Sequence, residues 1–172
     1  MSADAVIRTE HLELAPLRES DAAEMAGVLG DPRLHEFTGG SPATADQLRD
    51  RFRRLAAGSG RPDEIWLNWI VRLRATGTAI GTVQATVTRA GDRPTASVAW
   101  VIGVPWQRGG YGSESAAGLV AWLSAQGATT ITAAIKPGHA GSERVAERAG
   151  LTPTDRSADG ERIWQLQAGQ HG

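Results

Sequence analysis

The run "QRGGYGSES" at 107–115 places Gln107, Arg108, Gly109, Gly110 and Gly112 between two apolar stretches, without the lysine that holds a phosphate in a nucleotide-binding P-loop. What such a run can do is bind an anion through its backbone. N–H groups in the first turn of a helix have no intrahelical partner and lie at the positive end of the helix dipole, so a phosphate satisfies them without a lysine. Glycine supplies backbone freedom and, lacking Cβ, lets a diphosphate come within hydrogen-bonding distance, while Arg108 adds positive charge. Ser113, Ser115 and Ala116 are small enough for a helix to lie close to a sheet and a ligand. Glycines alone favour a ligand-free strand-to-helix turn, so the flanking residues must decide. A second group with chemistry is His139 in "IKPGHAGSERVAERAGL" (135–151), whose imidazole can serve as acid or base or simply open a helix. His35 and Glu36 could bind an acceptor or take a proton, although isolated loop residues of these types are usually solvated.

These residues need elements to position them. "HLELAPL" (11–17) alternates Leu12 and Leu14 with polar neighbours and then meets Pro16, which predicts a short strand near a sheet edge. Ser20 and Asp21 predict the cap of a helix over 22–30, closed by Gly30 and Pro32. The stretch "RLHEFTGGSP" (33–42) is turn-rich. Thr44 opens a second helix over 45–58, with Leu48, Phe52 and Leu55 on one face and Arg49, Arg51, Arg53 and Arg54 on a solvated one. Strands are predicted over 65–75 and 79–90, joined at Thr76-Gly77, and over 95–104 after the turn "GDRP". Trp66 and Trp69, three apart in a strand, face opposite sides. A helix over 113–127 carries Leu119, Val120, Trp122 and Leu123 on a broad stripe. A buried strand (129–135), a helix (142–150) and two last strands (151–155 and 162–168) about the turn "SADG" follow. The layout is α/β, with the glycine run where a central strand feeds a helix.

The 172 residues, 41% hydrophobic, suffice for one well-filled core, so residues 1–172 are expected to form a single domain. A formal net charge of -1 gives no electrostatic footprint for nucleic acid, which favours a small-molecule or protein partner. The absence of cysteine excludes disulfides, thiolate metal sites and a cysteine nucleophile, and no H-x-x-x-H or similar ligand pair suggests a metal. No apolar stretch approaches the length of a membrane span, and the first ten residues do not resemble a signal peptide, so a soluble, cytoplasmic protein is expected.

The spacing Ile102, Gln107, Gly110, Gly112 resembles the acyl-coenzyme A signature V-x-x-x-x-[QR]-x-x-G-x-[GA] of the GCN5-related N-acetyltransferase (GNAT) superfamily. The block at 135–151 resembles I-x-P-x-N-x-A-S-x-R-V-A-E-K-x-G-F, a hallmark of the branch that acetylates ribosomal-protein N-termini (RimJ/RimL-like). The opening "IRTEHLELAPLRESDAAEM" is similar to that branch's I-x-T-E-R-L-x-L-R-P-L-x-x-x-D. The three resemblances, in order and in register, span most of the chain. They imply a mixed, mostly antiparallel sheet of about seven strands flanked by about four helices and splayed between the fourth and fifth strands. Pantetheine would lie in the gap along the backbone of Val101, Ile102, Gly103 and Val104. The diphosphate would sit on Gln107, Arg108, Gly109, Gly110, Tyr111, Gly112 and Ser113, with His139 and Ser142 close to the cofactor as well. Acetyl-CoA would be the acyl donor without a metal, and the acyl group would pass directly to a primary amine.

Three residues depart from the pattern. Ser97 stands where the branch commonly has Glu and cannot act as its base, so another residue or water must take the amine proton. His139 replaces the usual Asn. The only tyrosine, Tyr111, lies in the diphosphate loop, which leaves Ser142, matching the branch's serine, either as the partner of the leaving thiolate or as a helix N-cap. The acceptor would lie near "RLHEFTGG" and "DEIWLNW". It could be a protein N-terminus, a metabolite or an aminated antibiotic, and the acyl group could be larger than acetyl. A CoA-binding regulatory module that has lost turnover and an unrelated phosphate-binding protein are the rival expectations, and either a monomer or a homodimer is compatible.

Overall fold

A computed structural model describes residues 1–36 and 40–167. One sheet runs through it, with strands β1 (Ile7–Arg8), β2 (Leu12–Pro16), β3 (Glu64–Leu73), β4 (Ala79–Ala90), β5 (Arg93–Ile102), β6 (Thr130–Ile135), β7 (Thr152–Ala158) and β8 (Glu161–Gln167) in the order β1-β2-β3-β4-β5-β6-β8-β7. Every neighbouring pair is antiparallel except β5 and β6. The count is eight, against about seven expected, because two-residue β1 pairs with Glu13 and Leu14 and is too short to show a period. Pro16 lies beyond the residues that β1 covers, so its missing N–H leaves no ladder bond unmade.

Four helices, α1 (Ala22–Val28), α2 (Ala45–Ala57), α3 (Tyr111–Ala125) and α4 (Ala140–Arg148), pack on the sheet. On one face Leu119, Val120 and Leu123 of α3 meet alternate residues of the strands, including Leu67, Trp69, Val83, Ala85, Val98 and Ile131. Trp69 is wholly buried there, edge-on to Trp122 with centroids 5.5 Å apart, and its indole N–H donates to the Ala5 carbonyl at 2.8 Å. Trp66 is half-buried and, by the period of two, faces the other way. On that second face Met25, Leu48 and Phe52 of α1 and α2 cover Ile70 and Ala79. That helix pair contacts one end of the face and leaves the other end open.

The helix starts follow local chemistry. Thr44 Oγ1 accepts from the Gln47 N–H at 3.1 Å while the Thr44 N–H donates to Gln47 Oε1 at 2.9 Å, a capping box of the kind that contributes about 1 kcal/mol. Before α1 the chain makes a 3-10 turn over Glu19–Asp21, so Asp21 accepts from the Arg18 N–H at 2.8 Å instead of capping the α-helix, and Ser20 is exposed. Arg72 of β3 reaches Asp21 at 3.2 Å and Glu24 at 2.9 Å, fixing α1 to the sheet.

Candidate active site

β5 and β6 share only three rungs, Thr95↔Thr130, Ala96↔Ile131 and Ser97↔Thr132, while β5 stays paired with β4 as far as Ile102 and β6 with β8 as far as Ile135. The strands therefore part after Ser97, as the splay between the fourth and fifth expected strands required; with β1 counted, these are the fifth and sixth. Along the open edge of β5, alternation decides which backbone groups face the gap. Gly103 N–H crosses to the Ile80 carbonyl at 2.7 Å, so the backbone of Ile102 is turned to the gap side, where its carbonyl accepts from Gln107 Nε2 at 2.9 Å. Val101 is 39% exposed, an apolar side chain at the same place.

Since β5 and β6 are parallel, both of the helices that follow them start at the same end of the gap. α3 begins at the glycine run. Gly110 is its N-cap with φ +83°, a left-handed conformation that an L side chain rarely adopts, and Arg108 also has positive φ, at +68°. The first intrahelical bond of the turn is Glu114 N–H to the Gly110 carbonyl at 3.0 Å, which leaves the earlier amides pointing out of the helix end. Gly112 has another task. A Cβ there would lie 3.2 Å from Val145 Cγ2 of α4 and 3.6 Å from Ile102 Cγ1, so its small size lets α3 close on α4 and on the strand. The ring of Tyr111 lies against Gly109, 3.1 Å from where its Cβ would be, and packs on the core.

α4 begins at His139, which is the N-cap in place of Ser142: Nδ1 accepts from the Ser142 N–H at 3.2 Å. That bond puts the proton of a neutral imidazole on Nε2, which stands 3.4 Å from Ser142 Oγ. Ring and hydroxyl are thus one unit at the start of α4, and the hydroxyl, freed from capping, is half-buried.

On the sheet face away from α3, a cavity of about 300 Å³ lies along the shared rungs, lined by Thr86 and Thr88 of β4, Thr95 and Ser97 of β5, Thr130 and Thr132 of β6, together with Ala96, Arg156 and Gln165. Arg156 donates to the Gln165 side chain. A wider depression of about 720 Å³, bounded by Arg18, Glu19, Ser20 and Arg49, belongs to α2 and the turn before α1 and has no part in the strand gap. All four arginines of the α2 face are exposed, and Arg53 is paired with Glu19 at 2.8 Å, consistent with a solvated face. His35 ends a 3-10 turn over Pro32–His35 and Glu36 is exposed, whereas Phe37, Thr38 and Gly39 of the expected acceptor loop lie outside the described residues.

The sequence profile of the acetyltransferase (GNAT) domain matches residues 11–152, a span that contains the glycine run, the parting strands, His139 and Ser142. The chain belongs to the GNAT acetyltransferase family. No curated protein matches it. Among solved structures this GNAT chain is similar to the ribosomal-protein-S5-alanine acetyltransferase from Vibrio fischeri, with TM-score 0.77 and 18% identity over 97% of this chain and 98% of that one. It is similar also to the ribosomal L7/L12 α-N-protein acetyltransferase RimL in complex with coenzyme A, with TM-score 0.76 and 14% identity over 95% and 98%. A third likeness is to the microcin C7 self-immunity acetyltransferase MccE in complex with acetyl-CoA and AMP, with TM-score 0.75 and 12% identity over 92% and 93%. At such identities the shared feature is the fold.

Within the GNAT domain, sequence reasoning did not single out the threonines of the cavity. Their signal is a second period of two: residues 86 and 88, 95 and 97, and 130 and 132 carry hydroxyls in antiphase to the buried Ala85, Val87, Ala96, Val98, Ile131 and Ala133. A hydroxyl-bearing phase on one strand is ordinary. On three neighbouring strands, in register, it makes a surface.

Proposed function

We propose that this GNAT chain is an acetyl-CoA-dependent N-acetyltransferase that moves the acetyl group directly onto a primary amine, at a protein N-terminus or on a small molecule. The observation that carries this is the meeting, at one gap between β5 and β6, of two helix starts on one side and a hydroxyl-lined cavity on the other. The pantetheine arm is assigned to the open edge at Val101, Ile102, Gly103 and Val104, and the diphosphate to Gln107, Arg108, Gly109, Gly110, Tyr111, Gly112 and Ser113. The relatives whose descriptions name coenzyme A or acetyl-CoA share the fold that builds this gap.

When bound, acetyl-CoA supplies an acyl carbon activated by its thioester; the amine nitrogen bonds to that carbon as the carbon–sulfur bond breaks. Residues of this chain manage the protons and the charge. A backbone N–H on the gap side of β5 stabilises the charge on the carbonyl oxygen. Ser142 Oγ donates a proton to the departing sulfur, with the His139 Nε2–H held 3.4 Å behind it, and recovers a proton from the nitrogen by way of water. An alkylammonium with a pKa near 10, roughly, must first lose a proton. Ser97 and Thr132, at the apex of the gap, bear hydroxyls that can order water but cannot hold that proton, which leaves with the cavity water. Amide, free thiol and one proton released to water balance the reaction.

Ser97 in place of a carboxylate favours one alternative, a CoA-binding module of the same fold without turnover. The separating experiment is release of free thiol from acetyl-CoA in the presence of a panel of primary amines and N-terminal peptides. Amine-dependent thiol release establishes the transferase. Binding of CoA with no release across the panel leaves either the module or an acceptor outside the panel.

A further inference from the structure

We propose that Glu114 is the positioning residue of the anion-binding turn: it clamps the turn between β1 and β2, and the strength of that clamp, set by the charge on His11, governs how tightly acyl-CoA is held. This rests on the assignment of the gap as an acyl-CoA site. Glu114 is the fourth residue of α3. Its Oε2 accepts from the Thr9 hydroxyl and from the His11 N–H at 2.9 Å, and its Oε1 bonds His11 Nδ1 at 2.7 Å. One helical turn on, on the same face of α3, Gly118 lies so close to Thr9 that a Cβ would stand 2.7 Å from the threonine methyl. Arg74 completes the clamp from just after β3: its N–H donates to the His11 carbonyl at 2.9 Å, and its guanidinium donates to the carbonyls of Thr9 at 2.8 Å and Glu10 at 3.3 Å.

The geometry has a consequence for the loop. A carboxylate in the first turn of a helix competes with a phosphate for the same positive end. Here both oxygens are turned outward onto Thr9 and His11, so the amides of the turn stay available while the turn itself is fixed to the sheet. A bond between charged partners is roughly twice as strong as a neutral one, so the clamp is strongest when His11 is protonated.

The charged groups that face the His11 ring are Glu114 from α3 and Glu10, 3.7 Å away on its own turn, with Arg74 on the neighbouring carbonyls. The Glu114 bond, followed by the Glu10 charge, outweighs desolvation and raises the His11 pKa. Burial pushes the Glu114 carboxyl upward, but the bonds from Thr9 and His11 outweigh it and hold the group below its usual range. The signs fix the window. Because the histidine value is raised, the charged pair is complete below about pH 6.5 and is lost as pH rises through the raised value; because the glutamate value is lowered, the acid limit lies below the ordinary carboxylate range.

The test is calorimetric titration with CoA at about pH 6 and about pH 8.5 for the wild type, Glu114→Gln and His11→Arg, with thermal melting as the check on folding. Glu114→Gln is expected to bind CoA about fivefold more weakly at the lower pH, a typical coupling between linked sites. His11→Arg, charged at both values, should show less loss at high pH than the wild type, both proteins meeting the same titration of the ligand's own phosphate. Equal affinity of Glu114→Gln and wild type at the lower pH, or identical pH dependence of His11→Arg and wild type, overturns the proposal. Hydrogen exchange of the 114–118 amides, the first that are bonded within α3, tests the clamp without ligand and independently of CoA. Faster exchange in Glu114→Gln supports it, and unchanged exchange overturns it even if CoA binds. A wild type that binds no CoA refutes the assignment of the gap, and with it any role in holding the cofactor.

Discussion

The two sides of the gap between β5 and β6 are built in opposite ways. At the mouth, each part has a partner: Gln107 on the Ile102 carbonyl, Gly112 closed on Val145, Glu114 on Thr9 and His11, and His139 on Ser142. At the far side the cavity is lined by short hydroxyls of three strands, with one charged side chain, Arg156, at its border. A diphosphate is a fixed shape with fixed charge and rewards a rigid cradle. An acceptor amine must approach and leave with its protons, and a hydroxyl surface that orders water suits that without fixing one partner. On the proposed assignment, the difference teaches that this chain would specify its cofactor through many partnered groups and its acceptor through few and small ones.

The substitution that should break the mouth most completely is Gly110→Asp. Nothing lies within 4 Å of a Cβ at this position, so the variant should fold, with some strain from the positive φ. It places a carboxylate where the diphosphate is assigned, and like charges so close cost several kcal/mol, which lowers CoA affinity by about a hundredfold or more in calorimetry. Undiminished affinity in the folded variant would remove the diphosphate from this loop.

Ser142→Ala should have a smaller effect and a different kind. If the hydroxyl protonates the sulfur, kcat falls by about a hundredfold, the lower end of what general acid catalysis contributes, with the KM for acetyl-CoA little changed. A raised KM with unchanged kcat would make Ser142 a ligand contact only.

The smallest effect is expected at the far side. Thr132→Val keeps the strand and nearly the same shape but removes a hydroxyl at the apex of the gap. The KM for the amine should rise by about threefold while acetyl-CoA binding is unaltered, the loss of one hydrogen bond or water contact. An effect on CoA affinity equal to that on the amine would show that the two sides are not separate.

The same contrast explains what was legible in the sequence. The mouth is written in short local spacings, Ile102 to Gly112 and His139 to Ser142, because a strand that feeds a helix needs few residues to define its turn. Even there, local spacing did not separate the tasks of the glycines: Gly110 is set by backbone conformation, but Gly112 by the distant Val145. Nor did it show that His139 would take the N-cap that Ser142 also suited. The far side draws on β4, β5 and β6, whose register is fixed by pairing across long stretches of chain, so Thr86, Ser97 and Thr132 became neighbours only in the folded sheet. Glu114 and His11 are likewise separated by 103 positions. Their meeting follows from β1, a strand too short for periodicity to reveal.

The most direct test of the central claim, that the parting of β5 and β6 is an acyl-CoA site, is a calorimetric titration of the purified protein with acetyl-CoA, with ADP as the control. Because the pantetheine arm is assigned to the open edge of β5 as well as the diphosphate to the glycine run, acetyl-CoA should bind with micromolar affinity, on the order of -8 kcal/mol, and much more tightly than ADP. Equal affinity for the two would confine recognition to the diphosphate, and no binding of either would contradict the account.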